Sequence, residues 1–341
     1  MGNLIEKNPV FEALKLDLEK EISKELQSFS FTKKPKRLKN LYHYTDLNGL
    51  KGIIENQCFF SSNSAYLNDK EEFYYGIKLF KFAIIDYVEK GKCDNEQEKN
   101  LIKHIKNELD SKIESYHFVT CFSLEGDLLS QWRAYANDGK GIAIGFDLKN
   151  LVEAFKSKAS DMLIEYDHEI QKLAAEKIVD ITIGFYKSRL PLLETLNQDK
   201  LYEVIAQESN EIFNKYIGQF KHSSFKEERE FRFDLSIDID INKSRELSYR
   251  VSKNNLLVPY LHLKTEFQDE FDSILKTNPT EPLESISKKI KKKVKLLPIN
   301  EIIIGPSLDF ELNKKSILGF LKKNGYPEGI VVKQSKVPYR I

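Results

Sequence analysis

The chain of 341 residues is predicted to fold as an α+β protein around a mixed, mainly antiparallel sheet. Strand-like runs and amphipathic helical runs mix along the sequence without the regular alternation that a parallel α/β sheet requires. The last third is richest in strand-like runs: EREFRFDLSI, NNLLVPYLHL, INEIIIGPS and EGIVVKQ. A hydrophobic content of 41% with 31% charged residues is typical of a soluble globular domain with a well-charged surface.

The N-terminal segment predicts one helix followed by a linker. Asn8 and Pro9 are typical of an N-cap and a first helical position. Apolar residues then recur on one helix face at Phe11, Leu14, Leu18, Ile22 and Leu26. A short basic run, KKPKRLKN, follows. We therefore assign residues 1–38 to an N-terminal helix with its basic linker, and residues 39–341 to a single α+β domain.

The first part of this domain mixes short strands with helices. The strand candidates are LYHYT (41–45), CFFSS (58–62), HFVTCFSL (117–124), KGIAIGFDL (140–148) and DMLIEYDHE (161–169). Helices are predicted after the cap Asp46, from about residue 69 to Gly91, over about 95–114, and in DLLSQWRAYAND with Asp127 as its cap. Two long amphipathic helices at about 169–219 contain few turn signals, so we expect a helical insertion there.

Charge and cysteine content predict a cytoplasmic protein that does not associate with a membrane. The net charge is +1, which gives no global field for nucleic acid or anionic lipid. Its three cysteines form no CxxC pair and no cluster with histidine at zinc spacing. The first residues lack the apolar core of a secretory signal, and no stretch approaches the roughly 20 apolar residues of a membrane span. The six histidines are scattered singly, so we predict no metal site.

One basic run, KKIKKKVK at 288–295, is a local exception to this even balance of charge. Ile290 and Val294 recur within it at helical spacing, which favours a solvated helix face. A patch that contacts phosphate is the alternative. The run alone does not decide between them.

Three glutamates at the start of a predicted strand raise the main question about chemistry. In FKEEREFRF (225–233), Glu227, Glu228 and Glu230 lie within four positions. Alternate residues of a strand share one face, so Arg232 should lie beside Glu228 and Glu230 with phenylalanines on the other face. Either these charges protect a solvated strand edge and pair with one another, or they form a carboxylate site.

Three other segments each have a structural and a functional interpretation. His43 and Thr45 share one predicted strand face, where they either pack in the core or hold a ribose hydroxyl and an amide. Trp132, the only tryptophan, is either core packing or a wall that stacks on a ligand. YLNDKEE (66–72) is either a capped helix start or part of a site. Signatures of a P-loop, a dinucleotide-binding glycine loop, a GxSxG nucleophile and an HExxH zinc site are absent from the sequence.

Six segments in order resemble the bacterial family known as domain of unknown function 2971. They are LYHYT, CFFSSNSAYLNDKEE, FVTCFSL, SQWRAYANDGKGIAIGF, FKEEREFRF and INEIIIGP, and they span about 41–305. Membership of that family implies little about function by itself.

The segments also resemble, more weakly, ADP-ribosyltransferase folds. Such folds place a His or Arg on the first core strand, a Ser-rich or Tyr-bearing segment after the next strand, and a Glu on a later strand. This sequence has matching residues in the same order: His43, then Ser61 with Tyr66, Tyr74 and Tyr75, then Phe225-x-x-Glu228-x-Glu230. The resemblance implies that NAD is the substrate and that Glu230 and Glu228 are the catalytic residues.

The resemblance also implies a role for each of these residues. Glu230 would bind the 2′-hydroxyl of the nicotinamide ribose and stabilise the oxocarbenium-like state in which nicotinamide leaves. Glu228 would orient the acceptor, His43 and Thr45 would hold ribose or nicotinamide, and a tyrosine would stack on the nicotinamide ring. The residues predicted to bind NAD are His43, Tyr44, Thr45, Ser61, Tyr66, Tyr75 and Trp132.

The resemblance thus implies an NAD-consuming ADP-ribosyltransferase-like enzyme and, by analogy with such folds in bacteria, a toxin or phage-defence effector. Its partners would be NAD and a macromolecular acceptor, either a protein or a nucleic acid. One alternative is a non-catalytic module that binds a nucleotide or nucleic acid in a salt-sensitive manner. Another is a hydrolase that uses the same carboxylates, with a divalent metal if it cleaves phosphodiesters.

Overall fold

The computed structural model describes residues 9–33, 38–67, 72–111, 117–193, 197–236, 247–252, 255–280, 282–290 and 295–339. These residues form helices and a ten-stranded sheet, which confirms the predicted α+β class. None of the helices they form is long and apolar enough to cross a membrane. Residues 68–71 of YLNDKEE and 291–294 of KKIKKKVK lie outside the described residues, so both interpretations of these runs stay predictions.

Eleven α-helices are present in the described part of the chain. They are α1 (Pro9–Leu26), α2 (Leu47–Asn56), α3 (Glu72–Glu89), α4 (Glu96–Ser111), α5 (Leu129–Tyr135), α6 (Leu148–Phe155), α7 (His168–Arg189), α8 (Gln198–Ile217), α9 (Glu266–Thr277), α10 (Leu283–Lys289) and α11 (Phe310–Lys323). Pro9 is the first residue of α1, as predicted. Asp46 caps α2 and accepts a hydrogen bond from the backbone of Gly49 at 2.8 Å.

The sheet is mixed and mainly antiparallel, as predicted. Its strands are β1 (Asn40–Thr45), β2 (Cys58–Asn63), β3 (His117–Ser123), β4 (Ile142–Asp147), β5 (Ser160–Leu163), β6 (Glu230–Ser236), β7 (Ser248–Val251), β8 (Leu257–Lys264), β9 (Ile299–Ile304) and β10 (Val331–Gln334). Their order is β10-β9-β4-β1-β3-β2-β8-β7, and β6 lies off this path, paired with β3 and β5. β9 and β10 are parallel, whereas β3 pairs antiparallel with β1, β2 and β6.

The chain divides into two compact units. The helical unit consists of residues 1–34, 68–115 and 163–225. The sheet unit consists of residues 35–67, 116–162 and 226–341. The partition expected from the sequence, an N-terminal segment of 1–38 and a single domain of 39–341, stays a prediction.

The helical unit packs α1, α3, α4, α7 and α8 around one apolar core. Leu18, Ile22 and Leu26 of α1 are fully buried, which agrees with the helix face predicted from their spacing. The rings of Phe80 and Phe213 stack with centroids 4.7 Å apart and join α3 to α8. The segment predicted as a helical insertion thus consists of α7 and α8, which belong to this core.

The pairing register gives the sheet two chemically different faces. Residues directly opposite each other on neighbouring strands share a face. Tyr42 is opposite Ser123, which is in turn opposite Glu230, so these three residues lie on one face. The other face is apolar, and a cluster of buried phenylalanines in edge-to-face contact fills it: Phe59, Phe122, Phe146, Phe155 and Phe233.

One edge of β3 is shared by two strands. β1 pairs with this edge at Ser123, and β2 pairs with it at Val119 and Phe118. β1 and β2 therefore diverge between these positions. There, Nδ1 of His43 donates a hydrogen bond to the carbonyl oxygen of Cys121 at 3.1 Å. A side chain thus satisfies a backbone acceptor at the point where the two strands separate.

Candidate functional site

One face of β6 carries a row of buried charged side chains. Glu230, Arg232 and Asp234 are only 4%, 2% and 2% exposed. Together with Ser123 and His117 of β3, which lie on the same face, we call them the polar row. β6 is paired on both sides, by β3 and β5, so the row does not lie on an open strand edge. The interpretation as solvated edge charges is therefore wrong for Glu230 and Arg232.

Glu230 and Arg232 form a bidentate ion pair at the start of β6. Nε of Arg232 donates to Oε1 of Glu230 at 2.5 Å, and Nη2 donates to Oε2 at 2.8 Å. Two parallel charge-assisted hydrogen bonds fix the plane of a carboxylate as well as its position. The pair agrees with the alternation read from the sequence, because Phe231 and Phe233 are buried in the apolar face.

Glu228 lies beside the start of β6 and not on the strand. A short 3₁₀ helix, Ser223–Glu228, precedes the strand. Arg229, between the two glutamates, takes a positive φ of 46°, which turns the chain into β6. The expectation that Glu228 shares the strand face of Glu230 and Arg232 is therefore wrong. The turn ends the two-residue periodicity one position before the strand begins.

Two hydroxyl groups hold Glu228 in place. The hydroxyl of Tyr135 donates to Oε1 of Glu228 at 2.9 Å, and Oγ of Ser123 donates to its carbonyl oxygen at 2.9 Å. Ser123 is also directly opposite Glu230 in the sheet. Glu228 is half-buried, whereas Glu227 is exposed. The structure thus brings the two predicted catalytic glutamates, Glu228 and Glu230, to the same end of the polar row.

The other end of the polar row is a histidine–aspartate pair. Nδ1 of His117 lies 2.6 Å from Oδ2 of Asp234, and both side chains are almost completely buried. Oδ1 of Asp234 is buried and has no hydrogen-bond partner among the described residues. Sequence reasoning missed this pair, because His117 and Asp234 are far apart in the chain and only the β3–β6 register brings them together.

His43 lies on the apolar face, opposite to the face that carries Glu230. The centroid of its ring is 5.5 Å from the rings of both Phe59 and Phe122. Burial lowers the pKa of His43, and its hydrogen bond to the carbonyl of Cys121 opposes that shift. The core-packing interpretation of His43 agrees with this position.

Replacement of His43 by glutamine is expected to make stability less sensitive to acid. Because burial lowers the pKa of His43 in the folded protein, the unfolded chain binds a proton more readily below about pH 6.5. Stability is therefore lost as the pH falls through this window, by at most about 1.4 kcal/mol per pH unit for one proton. The check is the free energy of urea unfolding between about pH 5 and 7. If the free energy of unfolding depends on pH equally in wild type and His43→Gln, His43 does not cause the loss of stability in acid.

Trp132 and Tyr44 form a second buried group in the sheet unit. Trp132 is fully buried, and its ring meets that of Tyr44 edge-on at 4.9 Å. Nε1 of Trp132 donates to Oδ1 of Asp127 at 2.7 Å, while the hydroxyl of Tyr44 donates to the carbonyl of Glu125 at 3.0 Å. Asp127 was predicted to cap α5, but the N-cap is Leu128. The contacts of Trp132 are those of a core side chain.

Thr45 and Ser61 are engaged in packing within the sheet unit. A Cβ on Gly49 of α2 would lie only 1.8 Å from Oγ1 of Thr45. The side chain of Thr45 therefore packs directly against this helix. Ser61 is fully buried, and its Oγ is 2.6 Å from Oγ1 of Thr120. The register places Ser61 on the apolar face, so it does not share a face with Glu230.

The two remaining residues predicted to bind NAD lie elsewhere. Tyr66 ends a short 3₁₀ helix, Ser64–Tyr66, and is 44% exposed. Tyr75 belongs to the helical unit, where its hydroxyl donates to Oε1 of Gln171 at 2.5 Å.

In the part of the chain with described coordinates, no three His, Cys, Asp or Glu side chains are grouped so as to hold a metal ion.

A family model matches part of the chain. Residues 131–233 match the model of a family described as protein of unknown function (DUF2971). The matched segment runs from α5 into β6 and includes Trp132, Glu228 and Glu230. It supports the family resemblance over this part of the chain. No curated protein and no solved structure shows a significant match to the chain.

Proposed function

We propose that the protein is an NAD-consuming ADP-ribosyltransferase-like enzyme in which Glu230 acts on the nicotinamide ribose. The observation that supports this most is the environment of Glu230. It is the first residue of β6, is 4% exposed and is held by two nitrogens of Arg232. Burying such a pair gives little or no net stability compared with apolar residues. Stabilisation of a developing positive charge in the transition state would account for a buried carboxylate at this position.

The chemistry requires a fixed negative charge beside a sugar. When the bond between nicotinamide and ribose breaks, its electron pair leaves with neutral nicotinamide and the ribose becomes an oxocarbenium-like cation. A carboxylate bonded to the ribose 2′-hydroxyl interacts more strongly with this cation than with NAD itself, which lowers the barrier. A buried setting strengthens the effect, because electrostatic interactions are larger where water is excluded.

Glu228 is the second carboxylate of the proposed site. Its side chain is half-buried, and the hydroxyl of Tyr135 donates a hydrogen bond to its Oε1. In the proposal it orients the acceptor nucleophile and takes its proton as the new bond to ribose forms. The acceptor is a macromolecule, either a protein or a nucleic acid, and a toxin or phage-defence role is proposed by analogy with bacterial enzymes of that fold. The NAD-binding roles of His43 and Thr45 stay predictions.

Replacement of Glu230 by glutamine is expected to reduce NAD consumption by about 10²–10³-fold, the loss typical of removing one group that stabilises transition-state charge. The structural role of the ion pair must be separated from this effect. Arg232→Gln breaks the same pair but keeps the carboxylate. We expect it to consume NAD at least about tenfold faster than Glu230→Gln, with each rate measured at a temperature where circular dichroism shows the protein folded.

Glu227→Gln is the matched control, because it removes a glutamate three positions away that is exposed. It should consume NAD at the wild-type rate. If Glu230→Gln and Arg232→Gln are both folded and lose NAD consumption equally, the ion pair has a structural role and Glu230 takes no part in the chemistry.

A further inference from the structure

The outer strands of the sheet, β2, β8 and β7, carry aromatic and basic side chains on one face. Phe60 is opposite His262, and Ser62 is opposite Tyr260. Tyr260 is in turn opposite Ser248 of β7, so Arg250, two residues further along β7, lies on this face too. We call Phe60, Ser62, Arg250, Tyr260 and His262 the aromatic–arginine surface.

Three rings of this surface are in mutual contact, and two of them, Phe60 and His262, are exposed. The centroids of Phe60 and Tyr260 are 4.2 Å apart, with 30° between the ring planes. His262 meets Phe60 at 5.4 Å and Tyr260 at 5.2 Å. Phe60 is 45% exposed, whereas its neighbour Phe59, on the apolar face, is 1% exposed. An exposed phenylalanine braced by a second ring provides a flat surface for stacking.

Arg250 supplies positive charge beside these rings. Its Nη2 donates to Oγ of Ser62 at 3.1 Å, and burial lowers the pKa of its guanidinium. No carboxylate of the described residues forms an ion pair with Arg250. β2, β7 and β8 contain no Asp or Glu at all, while they contain Arg250, His262 and Lys264. A half-buried guanidinium without a carboxylate, beside a serine hydroxyl, is suited to an anion, and its planar fork matches a phosphate group.

We infer that the aromatic–arginine surface binds single-stranded nucleic acid. A base stacks on the exposed ring of Phe60, which packs on Tyr260, and the adjoining phosphate binds Arg250. Stacking on exposed aromatic side chains beside basic residues is the usual way in which proteins bind unpaired strands. Phe60 and His262 are exposed, whereas Ser62 and Tyr260 are buried beneath them, so the exposed rings are the part of the surface that a strand can reach. A duplex keeps its bases stacked inside and offers none to Phe60.

This inference does not depend on the proposed transferase activity, because none of its residues belongs to the polar row. It adds a candidate for the acceptor, which the polar row does not identify. The test uses the full chain and fluorescein-labelled single strands of about 12 nucleotides, since unpaired-strand sites span roughly 4–16 nucleotides. Binding is measured by fluorescence anisotropy without NAD, at several salt concentrations.

Phe60→Ala is expected to weaken binding about 5- to 150-fold, because one stacked base contributes about 1–3 kcal/mol. Arg250→Gln is expected to weaken binding and to reduce the slope of log K against log salt by about 0.7, the value for one lost phosphate contact on a single strand. Phe60→Ala should leave that slope unchanged, because it removes no charge. The two variants therefore separate stacking from phosphate binding.

Two control variants make substitutions of the same kind at positions outside the aromatic–arginine surface. Tyr249→Ala removes a 53% exposed ring from the other face of β7, and Arg133→Gln removes an exposed arginine on α5. Both should bind like wild type. Wild-type affinity in Phe60→Ala and Arg250→Gln, or no binding by the folded wild-type protein, would overturn the inference. Equal affinity for a duplex or for AMP alone would overturn the assignment to a single strand.

Discussion

Replacement of Arg232 by glutamine is expected to lower the free energy of unfolding by about 3–5 kcal/mol. Arg232 and Glu230 are both almost completely buried, and two hydrogen bonds join them. Removing the guanidinium leaves the carboxylate of Glu230 buried without its ion-pair partner, which costs far more than the pair itself contributes. Urea unfolding followed by the fluorescence of Trp132 measures the loss.

Arg229→Gln is the matched control for this prediction. It breaks the ion pair between Arg229 and Glu125, whose side chains are 56% and 48% exposed. Exposed pairs contribute about 0–1 kcal/mol, so this variant should unfold close to the wild-type midpoint. If both variants lower the free energy of unfolding by a similar small amount, Glu230 is hydrated and the polar row is not a buried site.

Replacement of Trp132 by alanine is expected to lower the free energy of unfolding by about 3–5 kcal/mol, the usual cost of deleting a buried aromatic side chain. Trp132 is fully buried against Tyr44, and its Nε1 bonds to Asp127. Asp127 also accepts a hydrogen bond from the backbone of Lys336 at 2.7 Å, so the substitution disturbs a link to the C-terminal segment. Circular dichroism follows unfolding, because the variant has no tryptophan.

Phe82→Ala provides the comparison for Trp132. Phe82 is 69% exposed, and its removal should change stability by about 0.5 kcal/mol or less. If Trp132→Ala lowers the free energy of unfolding as little as Phe82→Ala does, and weakens NAD binding, the ligand-stacking interpretation of Trp132 would be supported instead. The core interpretation requires the large loss of stability.

Patterns local in sequence predicted much of the fold. The spacing of Leu18, Ile22 and Leu26 predicted the buried face of α1, and alternation predicted that Glu230 and Arg232 share a face. Both patterns depend only on the geometry of a single helix or strand. Alternation failed at Glu228, because the positive φ of Arg229 turns the chain just before β6 begins. Glycine or asparagine usually marks such a conformation, so an arginine there gives no signal in the sequence.

Features that depend on strand register were not predictable from one sequence. The pair of His117 and Asp234 requires two strands that are distant in the chain to lie in a particular register. The face of β1 that contains His43 also depends on pairing, because a shift by one residue exchanges the two faces. For this reason the resemblance placed His43 with Glu230, whereas the structure separates them by the thickness of the sheet.

Release of nicotinamide from NAD by the purified protein is the decisive measurement for the catalytic role of Glu230. Wild type and Glu230→Gln are incubated with NAD, with and without cell lysate as a source of acceptor, and nicotinamide is measured by chromatography. The proposed role of Glu230 predicts release by wild type and about 10²–10³-fold less by the variant, with faster wild-type release when lysate supplies the acceptor. Equal release by the two folded proteins, or no release by wild type under either condition, would contradict it.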